Sequence, residues 1–514
     1  MVADNKKFNF ENLFIFDLAN NHQGSVEHGL SIINEMAEIA KRNEIRAAIK
    51  FQFRNIDTLI HPNHKNGSDN KHIPRFISTR LTWDQYQILL DEINKKGLIS
   101  ICTPFDEYSV EVIEKMNIEI IKVASCSAND WPLLERISEA NKPVICSVGG
   151  LTMAEIDKVV SFFQHRGVDF ALEYCVAIYP TPNDKFHLNQ IDEMRNRYPG
   201  ITIGFSTHEA PDNFAVVGLA YAKGARIFEK HVGVETDVIK LNAYSGNPNQ
   251  IETWVKTLKT AMEICGSGSG RIISDKEKSD LLTLKRGIYF AKEIKIDSII
   301  ERDNVYFAMP LLPGQLISGQ WREGMKANKD YLSEEPLQSN ILPEKISKRD
   351  IIYSSIHAVK AMINNASIPL SHDFHVEISH HYGLDKFDEF GCIIVECINH
   401  KEYAKKLVIQ LPRQNHPVHF HKKKDETFQV LYGSMTVDVE GRKKILLPGD
   451  TMWVPRGVWH GFSTDEGVIF EEVSTRNYDD DSFYIDRQIS KMARDERKTY
   501  LHNWGRHQFD NIED

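Results

Sequence analysis

The chain has 514 residues and a formal net charge of −10, with 62 Lys and Arg against 72 Asp and Glu; this balance argues against a nucleic-acid partner, which needs a basic surface. Its 41% hydrophobic and 26% charged residues are those of a globular chain of two or three domains, and no apolar run approaches the length of a membrane span. Seven cysteines without a CxxC pair count against a disulfide framework, and the opening MVADNKKFNFENLF lacks a signal peptide's apolar core, so a cytoplasmic protein without a membrane partner is expected.

Eight β-prone runs alternate with helical segments. They are LFIFDL from Leu13, RAAIKF from Arg46, LISICT from Leu98, EIIKVA from Glu119, PVICSV from Pro143, FALEYC from Phe170, TIGFS from Thr202 and RIFEKH from Arg226. The segments from Gly29, Trp83 and Met153 carry apolar residues at three- and four-residue spacing, which predicts helices. The pattern is that of an α/β (β/α)8 TIM barrel over residues 1–270, a fold that places its chemistry at the strand C-termini. The polar segment from Ile56 to Arg80, with His61, His64 and His72, is long for a βα loop and reads as a lid or binding element. Cys102, Cys126, Cys146 and Cys175, in or beside apolar runs, read as reduced core thiols.

GSGSG from Gly266 marks a flexible boundary. Residues 283–336 suggest a small β-rich domain, and 337–371 a linker and a helix around SSIHAVKAMINNA. From 372 to 514, short strands follow one another: HVEISHHYG, GCIIVECI, KKLVIQL, TFQVLYG, SMTVDV, TMWVPRG and GVIFEEVS. They predict an all-β barrel or sandwich ending in a terminal strand and an acidic loop.

His208 ends the seventh strand and His231 the eighth. Two neutral imidazoles at one barrel rim suit a catalytic divalent metal. Lys50 and Lys122, at the ends of the second and fourth strands, need an anion to offset desolvation, either a substrate or a barrel carboxylate. With the hydroxyls of Thr103, Ser125, Ser147 and Ser206 they form a cradle for a phosphorylated carboxylate.

The motifs NHQGS, KFQ, CTPF, KVAS, IYPTP, FSTHE and FEKH, in that order over residues 13–270, resemble the sialic acid synthase family. The resemblance implies condensation of phosphoenolpyruvate with an aldose or sugar-acid aldehyde to a 3-deoxy-2-ulosonic acid and phosphate, for surface polysaccharide. It implies phosphoenolpyruvate contacts from Lys50, Thr103, Lys122, Ser125, Ser147 and Ser206, with Gln52 and Tyr179 lining the pocket. It implies Mn²⁺ or Mg²⁺ on His208 and His231, and catalytic roles for Glu229, Lys50, Lys122 and Gln23, the last standing where the family often has Glu or Asn. Residues 283–336 resemble the family's antifreeze-like (SAF) domain, implying a homodimer with that domain swapped. Ser127, Ala177, Leu241 or Asn242, and Met309 depart from the family pattern. Most of these changes touch the acceptor side, implying retained chemistry on a different aldehyde.

In HPVHFHKKKDETFQVLYG, His419 and His421 alternate on one strand and Glu426 follows; GDTMWVPRGVWHGF adds His460. Three imidazoles and a carboxylate suit Mn, Fe, Ni or Zn. The spacing resembles the two-motif pattern of cupins, with Arg413 in place of the usual Gly and Thr464 in place of an Asn. Lys422, Lys423 and Lys424 read as a solvated hairpin tip or as a lure for an anionic sugar. The cupin could isomerise the acceptor, making the protein bifunctional, or bind and oligomerise; a non-catalytic sugar-binding regulator is the third reading.

Overall fold

The computed structural model describes residues 7–65, 69–266, 270–322, 324–341, 348–371, 373–478 and 480–504. The middle of GSGSG, 267–269, and the centre of the expected linker, 342–347, lie outside them. The chain divides into two compact units, Met1–Ile272 and Ile273–Asp514. Among the described residues no helix is long and apolar enough to cross a membrane.

The first unit is a closed parallel barrel of β1 (Leu13–Asp17), β2 (Ala47–Phe53), β3 (Ile99–Pro104), β4 (Ile120–Val123), β5 (Val144–Ser147), β6 (Phe170–Cys175), β7 (Ile203–Thr207) and β8 (Ile227–His231). It matches the eight expected runs one for one. β1 closes the ring by pairing with both β2 and β8, with Asp17 opposite Lys50 on one side and His231 on the other.

The period of two in a strand explains how the site arises. Leu13, Ile15, Ala48, Ile101, Ile120, Ile145, Ala171 and Ile227 form a buried apolar cluster. Two residues further along their strands stand Asp17, Lys50, Thr103, Lys122, Ser147, Glu173 and Glu229. An apolar layer therefore floors a polar one at the strand C-termini. Residues of opposite parity, among them Phe14, Phe16, Ile49, Phe51 and Val123, join the main core with the surrounding helices.

The helix Val26–Arg42 starts three residues before the expected Gly29, because the Ser25 side chain accepts from His28 N–H and caps it. Trp83–Lys95 and Met153–His165 each begin in a capping box, Thr82 with Gln85 and Thr152 with Glu155. Cys102, Cys146 and Cys175 are buried, but Cys126 is exposed, since it lies in the turn after β4 rather than in a strand.

In the second unit, the hairpin of β9 (Gly287–Phe290) and β10 (Val305–Ala308) belongs to a module with its own apolar cluster, including Ile288, Phe290, Leu316 and Tyr331. The helix Lys348–Asn365 lays Ile352, Ile356, Val359 and Ile363 against Val376, Ile378, Val395 and Ile409.

The cupin strands are β11 (Val376–Ser379), β12 (Cys392–Asn399), β13 (Tyr403–Gln410), β14 (Asn415–Phe420), β15 (Glu426–Gly433), β16 (Met435–Val439), β17 (Arg442–Leu446), β18 (Thr451–Val454), β19 (His460–Ser463), β20 (Val468–Thr475), β21 (Phe483–Tyr484) and β22 (Lys498–Leu501). They form a seven-stranded sheet, β18-β15-β20-β13-β12-β11-β22, and a five-stranded one, β17-β16-β19-β14-β21. GVIFEEVS is thus not the terminal strand: β21 pairs with β14 at His419 and Phe420, and β22 pairs with β11. Arg413, at the position where a Gly was expected, takes the left-handed conformation at φ 70°, as that position requires.

Candidate functional site

At the barrel rim, two lysines and three carboxylates interlock. Lys50 Nζ lies 3.0 Å from Asp17 Oδ2 and 2.9 Å from Glu229 Oε1. Lys122 Nζ donates to Ser147 Oγ at 2.5 Å and lies 3.2 Å from Glu173 and 3.7 Å from Glu229. Ser206 Oγ donates to Glu229 Oε1 at 2.9 Å. Burial opposes the charge of Lys50, but Asp17 and Glu229 outweigh it and hold the ammonium above the ordinary lysine range. The two glutamates are pushed apart. Burial disfavours ionisation of both, yet Lys122 and Lys50 hold Glu229 well below the usual carboxylate range, while burial lifts Glu173 to about 7 against the pull of Lys122. The two neighbouring glutamates thus have opposite preferences for the proton.

His208 and His231 lie beside this network, ring centroids 5.4 Å apart. His208 Nδ1 faces the Val176 carbonyl oxygen at 3.1 Å. A carbonyl can only accept, so Nδ1 carries the proton and Nε2 keeps its lone pair. Burial, then His231, lowers the His208 pKa to about 3, and burial lowers that of His231. Both rings are therefore neutral at pH 7, the form that ligates a cation. His231 Nε2 is 3.4 Å from Asp17 Oδ2, a carboxylate oxygen already engaged by Lys50 and Gln52. Two neutral imidazoles at one rim suit a divalent ion whose remaining positions would go to substrate or water.

Among the other expected residues, Thr103 is buried with its hydroxyl unpartnered. Ser125 Oγ accepts from Gly149 N–H at 3.0 Å, and Gln52 donates to Asp17 at 3.2 Å. Tyr179, half exposed, packs on His208 at 4.4 Å. Gln23 is exposed at φ 53° and is not brought into the ion-pair network.

Sequence reasoning missed Asp17, Glu173, Arg54 and Tyr244. Asp17 and Glu173 were signalled by a lone acid on the inward parity of an apolar strand. Arg54 donates to Gln52 at 2.8 Å and is stacked between Phe76 and Phe105 at 4.1 and 3.8 Å, which ties β2 to the helix Ile73–Ser78 of the long loop. Tyr244 meets His231 at 5.1 Å edge-on; it follows β8 in an irregular segment and carried no periodic signal.

In the cupin, His419 on β14, His421 just past its end, Glu426 opening β15 and His460 opening β19 are buried, with ligand atoms all within 4.8 Å of one another. Their Nδ1 atoms face backbone oxygens of Pro417 (3.1 Å), Asp481 (2.6 Å) and Val458 (3.0 Å) for His419, His421 and His460 respectively. All three Nε2 lone pairs are thereby freed. His460 Nε2 and Glu426 Oε2 are 2.9 Å apart, yet neither makes a hydrogen bond and both are buried. Atoms aimed at a common point rather than at each other fit a shared cation. Burial and the neighbouring imidazoles hold His419 far below its ordinary pKa.

The lysine run divides. Lys422 and Lys423 are exposed, as expected of a hairpin tip, but Lys424 is 4% exposed, because Glu426 and Glu472 draw its ammonium inward. The acidic segment that follows β20 has a structural part: the carboxylate of Asp481 accepts the N–H groups of Lys422, Lys423 and Lys424 at 2.9 to 3.2 Å.

Fold and sites together define a (β/α)8 barrel with a lysine-, carboxylate- and imidazole-bearing rim, joined to a cupin with a converged group of three imidazoles and a carboxylate. The NeuB family model matches residues 36–270 and the cupin domain model residues 406–471, and the chain belongs to the NeuB family, with a cupin domain at its C-terminal end. A Chromobacterium violaceum crystal structure described as spore coat polysaccharide biosynthesis protein E is 43% identical and superposes with a TM-score of 0.63, over 64% of this chain and 99% of that one. N-acetylneuraminate-9-phosphate synthase of Drosophila melanogaster is 29% identical over 42% of this chain and 59% of its own length. N,N'-diacetyllegionaminic acid synthase of Campylobacter jejuni is 21% identical over 63% of this chain and 98% of its own length. The chain is thus related to sialic-acid-like synthases.

Proposed function

We propose that the barrel condenses phosphoenolpyruvate with an aldose or sugar-acid aldehyde, giving a 3-deoxy-2-ulosonic acid and phosphate. The observation that carries this reading is the pair of buried ammonium groups, Lys50 and Lys122, set among the hydroxyls of Thr103, Ser147 and Ser206 at the strand ends. Such a cradle binds a doubly anionic small molecule and stabilises charge as it shifts between carboxylate and phosphate. Mn²⁺ or Mg²⁺ held by His208 and His231 would supply Lewis acidity to the acceptor aldehyde.

In the reaction, C3 of phosphoenolpyruvate bonds to the aldehyde carbon, whose oxygen takes a proton. Water adds at C2 and loses a proton; the C2 hydroxyl proton then passes to the departing phosphate as the C2–O bond to phosphate breaks and the C2 carbonyl forms. Glu229, held ionised by Lys122 and Lys50, would receive the proton from water. Glu173, about half protonated at neutrality and beside Lys122, would return one. Gln52 and Tyr179 would line the substrate pocket. A homodimer in which the module around β9 and β10 acts as the family's SAF domain, and a cytoplasmic location where phosphoenolpyruvate is made, belong to the same reading.

The test incubates purified protein with phosphoenolpyruvate, Mn²⁺ and a panel of aldoses, uronic acids and acetamido sugars. Phosphate release that depends on one acceptor, with a single adduct mass, supports the reading. Intact phosphoenolpyruvate across the whole panel overturns it.

A further inference from the structure

Beside the cupin's imidazole–carboxylate centre lies a cavity, partly open to solvent, lined by charged and polar side chains. Four cations line it, Lys406, Lys424, Arg494 and Lys498, against three carboxylates, Glu377, Glu426 and Glu472. Lys406 and Lys424 are 7% and 4% exposed, and a buried ammonium requires an anion to offset its desolvation.

The available anions are spoken for. Lys498 pairs with Glu377 at 2.6 Å. Lys424 lies 2.5 Å from Glu426 and 3.0 Å from Glu472, and Lys406 lies 3.9 Å from the same Glu472. Glu426, however, belongs to the metal-ligand set. When it serves a cation, its one negative charge is shared between that ion and Lys424, Lys406 has only Glu472 at 3.9 Å, and the wall, with four cations against three carboxylates, carries excess positive charge next to a divalent ion. Asn477, Ser482 and Tyr484 add polar groups to the same wall, which suits a ligand with several hydroxyls.

We infer that this cavity binds an anionic sugar, a carboxylated or phosphorylated polyhydroxy compound whose acid group sits against Lys406 and Lys424 and whose hydroxyls face the His419, His421, Glu426 and His460 centre. The inference is independent of the barrel reaction. It gives the cupin a ligand of its own, not only a scaffolding part.

Calorimetric titration of the full-length, Mn²⁺-loaded protein with D-glucuronate, D-glucose 6-phosphate and D-glucose tests it. At least one of the two acids should bind roughly tenfold or more tightly than glucose, the scale of a charge-assisted hydrogen bond; which acid wins identifies the source as carboxylate or phosphate. Lys406→Met should remove that preference with metal content by elemental analysis unchanged. Lys498→Met, in the same wall, should weaken it and serves if the first variant does not fold. Lys122→Met in the barrel should leave the preference in place. Equal binding of all three sugars, no binding of any, a preference that survives both cupin variants, or one lost in Lys122→Met would each overturn the inference.

Discussion

Asp481 shows how much one side chain can organise. It is 1% exposed, its carboxylate receives three successive backbone N–H groups, and its carbonyl takes the Nδ1 proton of His421. The ring orientation of a metal ligand therefore depends on a segment 60 residues away. Asp481→Ala should lower Mn²⁺ affinity by roughly 10- to 100-fold, the usual cost of losing such support, read by competition with a chelator. Nothing in the local sequence announces this role, because an Asp-rich stretch looks solvated until its partner is known. Glu173 offers a second test. Its folded pKa, about 7, lies above the ordinary 4.5. A raised pKa means that the folded state keeps a proton the unfolded chain gives up, so stability is whole below about 4.5 and falls as pH rises towards 7. Glu173→Gln removes that proton difference. Its thermal stability should decline less than the wild type's over this window, by about 1–3 kcal/mol, and equal slopes in the two melting series would refute the assignment.

At the scale of the element, β7 is set by Gly204. A Cβ there would stand 2.7 Å from Glu173 Cγ on β6 and 2.7 Å from Ile227 Cβ on β8, with the Ile227 carbonyl oxygen at 3.1 Å. Neighbours on both sides leave no direction for relief. Gly204→Ala should cost about 1–3 kcal/mol in denaturant unfolding and should also depress turnover by displacing Glu173. A glycine inside a strand such as TIGFS accompanies close approach, and the eight strands were legible as β-prone runs alternating with helical segments and ending in polar residues. The helices were legible from apolar residues at three- and four-residue spacing, while caps such as Thr82 and Thr152 fix where they start. β21 and β22 were not: two and four residues long, they carry little pattern, and pairing with β14 and β11 creates them. Lys424 was misread for the same reason. Three lysines in a row look like a solvated tip, yet Glu472, far along the chain on β20, turns the third one inward.

At the scale of the molecule, each unit carries its own apolar clusters, those of the barrel in residues 1–272 and those of the small module and cupin in 273–514. Two cores of this kind unfold as separate cooperative blocks, so calorimetry of the full chain should resolve two transitions. The metal-ligand sets differ between them. The cupin offers three imidazoles and a carboxylate already converged, while the barrel offers two imidazoles with Asp17 near one of them. A ligand that binds only the folded state stabilises it by RT ln(1 + [L]/Kd), about 4 kcal/mol at a thousandfold excess over Kd. Mn²⁺ should therefore raise the second unit's transition by several degrees. Glu426→Gln should abolish most of that rise, since it removes the one anionic ligand of the set and leaves Lys424 beside the imidazoles. The barrel transition should respond to Mn²⁺ alike in both proteins. If the variant shifts both transitions equally, or only one is resolved, the two units do not unfold as independent blocks and the cupin metal supports the chain as a whole.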